Sequence, residues 1–273
     1  MASVSLLYIH ALSSLHPGTG QGVGAIDLPI ARERATNLPF APGSSLKGCL
    51  RQGKKDDVAK QRFGDEDRQG DLAFSDARLL LLPLRSVSST FVWATCPYLL
   101  RRYRRDCRML PAQLTAGLPA ATPTVDAETA AGSKTVEGLT LNQKPKLVLE
   151  DLDFDLKAGP AEDWAAWFAN ALFASDSEWI AEFKKRFVIL PDSAFDFLCE
   201  YATEVNAHIR IGEDGIVEEG ALWYEESLPA ETVLVSIVEN RGANDLTWMP
   251  EFLRLGGNES TGQGLTRLVR HGG

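Results

Sequence analysis

Strand-like and helix-like segments alternate along the chain, and this alternation is what most constrains its fold. Residues 3–12 (SVSLLYIHAL) and 147–156 (LVLEDLDFDL) have the composition and pattern of strands. Residues 162–173 and 176–187 are amphipathic and indicate helices. Residues 205–226 resemble a β-hairpin with GEDG as its turn. Interleaved strands, helices and hairpins predict an α+β fold with a sheet of the ferredoxin-like kind.

Local signals predict where several other elements begin and end. Residues 71–84 (DLAFSDARLLLLPL) indicate a buried strand that ends near Pro83. Ser44 and Ser45 stand where N-caps belong, directly before a helical pattern. Residues 244–255 predict a helix, whereas residues 110–145 lose periodicity and predict a loop insertion.

The composition is that of a globular protein. Hydrophobic residues make up 44% and charged residues 24% of the 273 residues, which excludes a disordered or fibrous chain. This length suits a single domain over residues 1–273 with insertions. The longest apolar run, residues 79–84, is too short to cross a membrane, and the N-terminus does not read as a signal peptide. The four cysteines contain no CxxC pair, which predicts reduced thiols in a cytoplasmic protein.

The charge is unevenly distributed along the chain. A net charge of −9 argues against a protein that coats nucleic acid through its overall field. Residues 32–62 nevertheless carry eight Lys or Arg against three acids, and residues 101–108 carry five arginines and one aspartate. The second of these runs belongs to a predicted helix with Pro97 in its first turn. Two interpretations stay open, a local contact with a polyanion and two solvated helix faces.

A glycine-rich segment follows the first strand. Residues 15–30 read LHPGTGQGVGAIDLPI, with alternating glycines and a single acid, Asp27, among apolar neighbours. Because glycine keeps side chains off the backbone, the segment suits a bulky molecule lying against it. GQGVGA fits a dinucleotide fingerprint, but it does not follow the strand directly and leads into prolines instead of a helix. A nucleotide cofactor is therefore not expected.

The tetrapeptide TGQG occurs twice, at residues 19–22 and 261–264. Each copy lies next to a predicted strand, so the two loops are able to meet at one face of a sheet. Backbone N–H groups in such loops form anion-binding concavities without net charge. SSLKG at residues 44–48 adds a lysine in the first turn of a predicted helix, where the helix dipole favours an anion. The alternative for SSLKG is an N-cap with a surface lysine.

Four stretches in order along the chain carry a family resemblance. They read LHPGTGQGVGAIDLPIARERATNLPFAPGSSLKGCLR, FGDEDRQGDLAFSDARLLLLPLRSVSSTFVWATCPYLLRR, EEGALWYEESLP and RLGGNESTGQGL. Together they resemble the repeated backbone subunit of type III-B (Cmr) CRISPR interference complexes, a member of the RAMP superfamily. The resemblance covers nearly the whole chain and is weakest over residues 110–145 and 157–200.

The resemblance implies a ferredoxin-like (RRM-like) core that stacks with copies of itself into a helical filament along a guide crRNA. The filament would work with the other Cmr subunits and bind complementary target RNA, with no membrane involved. The guide would be held through its phosphates, and phosphate contacts position an RNA without reading its sequence. The hairpin over residues 203–228 is implied to be a thumb that wedges into the guide–target duplex. The implied phosphate-binding residues are Ser44, Ser45, Lys47, Arg51, Gly256, Gly257, Asn258, Gly262 and Gly264, and the apolar wedges are Ile209, Ile211, Ile216 or Val217.

The same resemblance implies that Asp27 is the catalytic acid of an endoribonuclease. Cleavage would depend on weakly bound Mg²⁺ or Mn²⁺ and would use the 2′-OH of the target, leaving a 2′,3′-cyclic phosphate. Asp27 would either ligate the metal ion or accept the 2′-OH proton. His16 would help by moving a proton or contacting the phosphate, or it would only cap local backbone. Tyr224 and Glu225, with Glu218 and Glu219, would reach a cleavage site in a neighbouring copy, or serve only solubility.

Three alternatives remain open from the sequence. The first is a guide-binding scaffold subunit that does not cut. The second is a RAMP endonuclease that processes precursor crRNA with a histidine-centred site, for which only His16 would serve. The third is a small-molecule enzyme that binds a phosphate group in the glycine loops. Asp76 is expected to be structural, paired with Arg78 or Arg85.

Overall fold

A computed structural model describes residues 3–22, 24–174, 176–212, 216–242 and 246–271, with only the backbone of residues 217, 219 and 220. The strands are β1 Ser3–Ala11, β2 Phe40–Ala41, β3 Leu72–Phe74, β4 Ala77–Ser86, β5 Thr90–Thr95, β6 Thr129–Gly132, β7 Leu139–Leu141, β8 Lys144–Leu149, β9 Leu152–Ala158, β10 Phe187–Ile189, β11 Glu204–Ile211, β12 Val217–Ser227, β13 Val233–Asn240, β14 Phe252–Arg254 and β15 Leu265–His271. The helices are α1 Gly43–Arg51, α2 Asp57–Phe63, α3 Pro97–Cys107, α4 Glu162–Phe173, α5 Ser177–Arg186 and α6 Asp192–Tyr201.

One 13-stranded sheet runs through the described part of the chain, and eleven of its strands follow the order β14-β15-β1-β13-β4-β5-β10-β6-β9-β8-β7. The other two lie off this path, where β2 pairs with β4 and β3 with β13. β1 lies between β13 and β15 and is antiparallel to both, and β13 is antiparallel to β4. Strands and helices interleave along the chain, which confirms the predicted mixed α+β class. The first and last long strands are therefore neighbours, and this brings the two glycine-rich loops to the same part of the sheet.

A hydrophobic cluster lies on each face of the sheet. Successive side chains of a strand point to opposite faces, so each strand contributes to both clusters. In β1, Leu7 and Ile9 belong to one hydrophobic cluster, while Leu6 and Tyr8 belong to another. The first cluster includes the buried apolar side chains of α1, α2 and α6. The second cluster includes the buried apolar side chains of α4 and α5 and most of those of α3. It is rich in aromatic side chains such as Trp93.

β11 and β12 form a separate two-stranded sheet that projects from the main one. This hairpin matches the expected hairpin over residues 203–228, and we refer to it as the β11–β12 hairpin. The turn expected at GEDG lies outside the described residues. The other end of the hairpin is anchored, since Glu226, Ser227 and Leu228 are all buried.

Two predictions, one of a strand end and one of a loop, fail because the segments pair with strands that are distant in sequence. Pro83 does not end its strand but lies within β4, opposite Trp93 of β5. The loop expected over residues 110–145 differs from the structure, because β6 is inserted between β10 and β9. Ala130 and Ala131 are buried there, so small side chains that resemble a loop in sequence pack inside the sheet.

The prediction of a helix over residues 244–255 is also wrong for residues 246–255, which the structure describes. Residues 252–254 instead form the edge strand β14, which pairs with β15. Leu246, Met249 and Leu255 are buried in this segment while Phe252 is exposed, so apolar spacing alone misleads. Within the described part of the chain, no helix is long and apolar enough to cross a membrane. All four cysteines are free, and three of them are buried.

Candidate nucleic-acid interface

Residues 15–30, which we call the acid loop, lie against the base of the β11–β12 hairpin. The loop is closed at its ends, where the backbone N–H of Ala31 donates to the carbonyl of Pro17 at 2.8 Å. The N–H of Leu28 donates to the Tyr224 carbonyl, and the N–H of Glu226 donates to the Leu28 carbonyl, both at 3.0 Å. The acid loop therefore extends the edge of β12 over a few residues and is held there by backbone bonds.

Asp27 is exposed on this loop, and its carboxylate is oriented by the hairpin. Its Oδ2 accepts a hydrogen bond from the backbone N–H of Tyr224 at 2.7 Å. No other group among the described residues hydrogen-bonds this carboxylate. One oxygen is thus fixed by the protein and the other is available to solvent or ligand, as a group that acts on a bound molecule requires.

The glycines of the acid loop serve two different purposes. A Cβ at Gly22 would lie 2.9 Å from the Ile26 carbonyl oxygen, and one at Gly18 would clash with the His16 ring. Those two positions are small because the protein packs against itself. Gly20 and Gly24 have no atom within 4 Å of an added Cβ, and Gly20 has a φ of +91°. Open backbone at these two positions is where a bulky molecule has room to approach.

His16 joins the acid loop, the hairpin and the C-terminal loop. The ring is buried, and Nδ1 donates to the Glu226 carbonyl at 2.6 Å, which places a proton on Nδ1. The His16 carbonyl accepts from the N–H of Gly257 at 2.9 Å, and the ring packs between Gly18 and Gly257. These contacts favour the local-capping alternative for His16, although Nε2 has no partner among the described residues.

Residues 255–264, which we call the C-terminal loop, are tied closely to the core. A Cβ at Gly256 would lie 2.5 Å from the His16 carbonyl oxygen, and one at Gly264 would clash with the Leu255 carbonyl. Gly262, with a φ of +96°, has open space around it. The predicted phosphate-binding glycines therefore fall into two groups. Gly256, Gly257 and Gly264 pack against the protein itself, whereas Gly262 faces outward.

Asn258 and Glu225 connect the C-terminal loop to the hairpin. The Asn258 side-chain amide donates to Glu225 Oε1, and Glu225 is only 4% exposed. Its carboxylate is thus used inside its own chain, whereas the Tyr224 side chain is exposed. The structure brings His16, Asp27, Tyr224 and Glu225 together within one subunit, which the sequence did not anticipate. Glu218 is exposed and forms an ion pair with Arg210 at 3.6 Å.

The start of α1 differs from the expectation. The helix begins at Gly43 after Pro42, and neither Ser44 nor Ser45 caps it. The Asp76 carboxylate accepts from the N–H of Gly43 at 2.9 Å instead. The expected pairing of Asp76 is wrong as well, because the two arginines bind other acids. Arg78 forms an ion pair with Asp106, and Arg85 with Glu150.

The cations predicted on α1 are free to bind an external anion. Arg51 is exposed and Lys47 is partly buried, and within the described ranges neither side chain has an ion-pair partner. α1 also lies beside the C-terminal loop, because the Cys49 thiol approaches the Gly256 backbone. Burial raises the pKa of that thiol. Lys47 and Arg51 and the outward-facing Gly262 therefore belong to neighbouring elements.

One face of the β11–β12 hairpin is apolar and exposed. Ile209 lies opposite Leu222, and Ala207 opposite Tyr224, so these side chains share a face. Ile209, Ile211 and Ile216 are all more exposed than buried, as a wedge requires. The side chain of Val217, also predicted as a wedge, lies outside the described residues. Leu222 was missed in the sequence, although its alternation with Tyr224 in LWYEE would have placed it on this face.

The groups near Asp27 do not form a closed metal site. Among the described residues there is no cluster of three or more His, Cys, Asp or Glu side chains that could hold a metal ion. Glu225 is committed to Asn258, which leaves the Asp27 carboxylate as the exposed acid of this junction. The donor set fits a divalent ion only if a bound polyanion supplies the other ligands.

Comparison with known proteins agrees with the geometry. The sequence profile of the RAMP superfamily matches residues 8–267. The chain belongs to the RAMP superfamily. Its relatives in that superfamily include the CRISPR system Cmr endoribonuclease Cmr4 of Pyrococcus furiosus, 30% identical over 97% of this chain and 94% of that protein. The predicted kinship with Cmr subunits of CRISPR systems is therefore confirmed.

Solved structures support the same RAMP assignment. The crystal structure of oligomeric Cmr4 from Pyrococcus furiosus superposes with a TM-score of 0.72 at 25% identity, covering 98% of this chain and 97% of that one. A chain in the cryo-EM structure of the type III-B Cmr-beta complex bound to cognate target RNA gives a TM-score of 0.77 at 22% identity, covering 98% and 96%. The second likeness shows the fold alone.

Proposed function

We propose that this RAMP protein is the repeated subunit of a cytoplasmic type III-B effector complex, that it binds a guide RNA, and that it cuts complementary target RNA at regular intervals. The relative from Pyrococcus furiosus is named an endoribonuclease, and a structural neighbour comes from a complex bound to target RNA. The other structural neighbour is described as oligomeric, which supports assembly with copies of itself, and the Cmr-beta complex supports assembly with other Cmr subunits. Within the fold, we assign β15, β1, β13 and β4 to the ferredoxin-like core, because their order and antiparallel pairing match that sheet.

The guide RNA is assigned to α1 and the C-terminal loop. Lys47 and Arg51 supply positive charge, and the backbone around Gly262 is open. Asp76 binds the N–H of Gly43, and the Pro42 carbonyl accepts from the N–H groups of Ser45 and Leu46. The Ser44 N–H and the side chains of Ser44 and Ser45 are left for phosphate. Base pairing with the guide then selects the target.

The observation that carries the cleavage proposal is the position of Asp27. Its carboxylate is exposed, held by the Tyr224 N–H, and adjacent to the apolar face of the hairpin. A hairpin that separates stacked bases at this point would leave a distorted nucleotide beside the acid. Distortion of this kind places a 2′-OH in line with its phosphate, and such positioning lowers the barrier substantially.

Two roles suit the free oxygen of Asp27, which can accept the 2′-OH proton or ligate a divalent ion. Mg²⁺ or Mn²⁺, when bound, supplies positive charge beside the phosphate. Because this junction presents a single exposed acid, Asp27 would share such an ion with RNA phosphates and water, and we expect weak binding. His16 holds the loop in place through Nδ1, which leaves Nε2 for a contact with the phosphate.

The test uses the assembled complex with a guide RNA and an end-labelled complementary target. Wild type is compared with Asp27→Ala, each in Mg²⁺ and in EDTA, and target binding is measured in parallel. We expect evenly spaced cuts by wild type in Mg²⁺, and bound but intact target in the other three reactions. Equal cutting by Asp27→Ala would show that the chain is a guide-holding scaffold and that the nuclease lies in a partner.

A further inference from the structure

A buried carboxylate that cleavage does not use directly lies next to the acid loop. Glu226 is only 3% exposed, and both of its oxygens are hydrogen-bonded. Oε1 accepts from Arg32 Nη2 at 2.5 Å and from Thr203 Oγ1 at 3.0 Å, and Oε2 accepts from the N–H of Ile30 at 3.1 Å. A buried charge with a full set of partners is held in one geometry.

Arg32 extends this network to a third element. Its Nη1 donates to the carbonyl of Asn37 at 3.0 Å and to the carbonyl of Cys199 in α6 at 3.1 Å. The Arg32 side chain therefore connects the end of the acid loop with α6, while Glu226 belongs to β12. Arg32 is mostly buried in this position, with 17% of its side chain exposed.

The network determines where Asp27 stands relative to the hairpin. Ile30, bound by Glu226, is three residues after Asp27, and Tyr224, which binds Asp27, is two residues before Glu226. The two contacts thus hold the acid loop to β12 on both sides of Leu28. A buried ion pair contributes little net stability because desolvation offsets the attraction, so specificity of geometry is its better-attested use.

We propose that Glu226 and Arg32 are positioning residues for RNA cleavage, which fix the Asp27 carboxylate against the hairpin so that the acid meets the nucleotide that the hairpin distorts. The inference rests on the proposed function. Neither residue touches the RNA in this arrangement, since both are directed into the protein. A displacement of about 1 Å at a reacting group costs up to about a hundredfold in rate, so loosening this network should slow cleavage before it weakens target binding.

The experiment compares Glu226→Gln and Arg32→Gln with wild type in the assembled complex, using single-turnover cleavage at saturating target. Target dissociation constants and thermal midpoints are measured on the same preparations. We expect the cleavage rate to fall about ten- to a hundredfold and the dissociation constant to change less than about twofold. Because both residues act through one contact, the double variant should be about as slow as the slower single variant. Arg32→Lys, which keeps the charge, should recover part of the rate.

The matched control is Asp106→Asn, which breaks the ion pair between α3 and Arg78 of β4 and removes no bond to Glu226 or Arg32. That pair is also largely buried, so the variant should lower the thermal midpoint while the cleavage rate stays within about twofold of wild type. If Asp106→Asn and Glu226→Gln slow cleavage equally for equal loss of stability, the network has no positioning role and the inference is overturned.

Asp27→Ala in the same preparations separates the two proposals. Wild-type cleavage by Glu226→Gln together with loss of cleavage in Asp27→Ala overturns the inference and leaves the proposed function intact. Wild-type cleavage by Asp27→Ala overturns both. If Glu226→Gln does not assemble, Thr203→Val removes one bond to Glu226 without changing charge, and we expect about a threefold slower rate. An unchanged rate in that variant overturns the inference.

Discussion

The two copies of TGQG share a left-handed first glycine but differ at the second, where Gly264 has a φ of +75° and Gly22 does not have a positive φ. The first glycine of each, Gly20 and Gly262, has a positive φ, +91° and +96°, and open space around it. The second glycine of each packs against a carbonyl of its own chain, Gly22 against Ile26 and Gly264 against Leu255. In both copies, therefore, the first glycine faces outward and the second packs against the protein.

What differs is the element to which each copy is tied. The N–H of Gly264 donates to the Ser14 carbonyl at 2.8 Å, which fastens the C-terminal loop to residues that follow β1. The N–H of Gly22 donates to the Asp27 carbonyl at 2.7 Å, so that bond stays within the acid loop. One copy is therefore an anchor and the other shapes a loop that presents an acid. The role of a turn depends on its attachments more than on its own residues.

The largest expected contrast is between alanine substitutions at the two packed glycines. Gly264→Ala adds a side chain at φ +75° against a core carbonyl, and we expect a loss of about 2–4 kcal/mol in the free energy of unfolding. Gly22→Ala disturbs only contacts within the acid loop, so we expect a loss below about 1 kcal/mol together with strongly reduced cleavage. Thermal unfolding and the cleavage assay measure the two effects. Equal loss of stability in both variants would refute the contrast.

A smaller effect is expected from the bond between Asn258 and Glu225. Asn258 has a φ of +59°, so Asn258→Gly removes the amide without straining the backbone. The buried Glu225 carboxylate then lacks this donor, which should cost about 1–3 kcal/mol in denaturant unfolding. Asn258→Asp should cost more, because it places a second carboxylate beside Glu225. A neutral result for Asn258→Asp would mean that the C-terminal loop is not anchored through this contact.

Alanine at the two open glycines should lower stability less than Gly264→Ala does. Gly20→Ala and Gly262→Ala meet no atom, so each should cost only the left-handed strain of an L residue, about 1–2 kcal/mol. Their functional effects should differ, with Gly20→Ala changing the cleavage rate and Gly262→Ala changing guide affinity in filter binding. If both variants change the same property, the two copies do not have separate roles.

Much of the fold was predictable from local patterns. β1, β9, α4 and α5, and α3 with Pro97 in its first turn, all follow from periodicity and helix-start signals. The predictions that failed concern segments whose partners are distant. Pro83 continues a strand because β5 pairs with it, and Asp76 caps a helix that begins 33 residues earlier. Local propensity contains no information about such partners.

The sequence by itself determined the class of fold, the kinship, the repeated turn and the acid beside it, because these depend on residue types and spacing within short stretches. The tertiary structure decided what the acid contacts. Asp27 binds a backbone N–H 197 residues away, and Glu226 binds Arg32 across 194 residues. Both contacts exist because the sheet places β12 beside the acid loop, and pairing over such separations is determined only when the whole core packs.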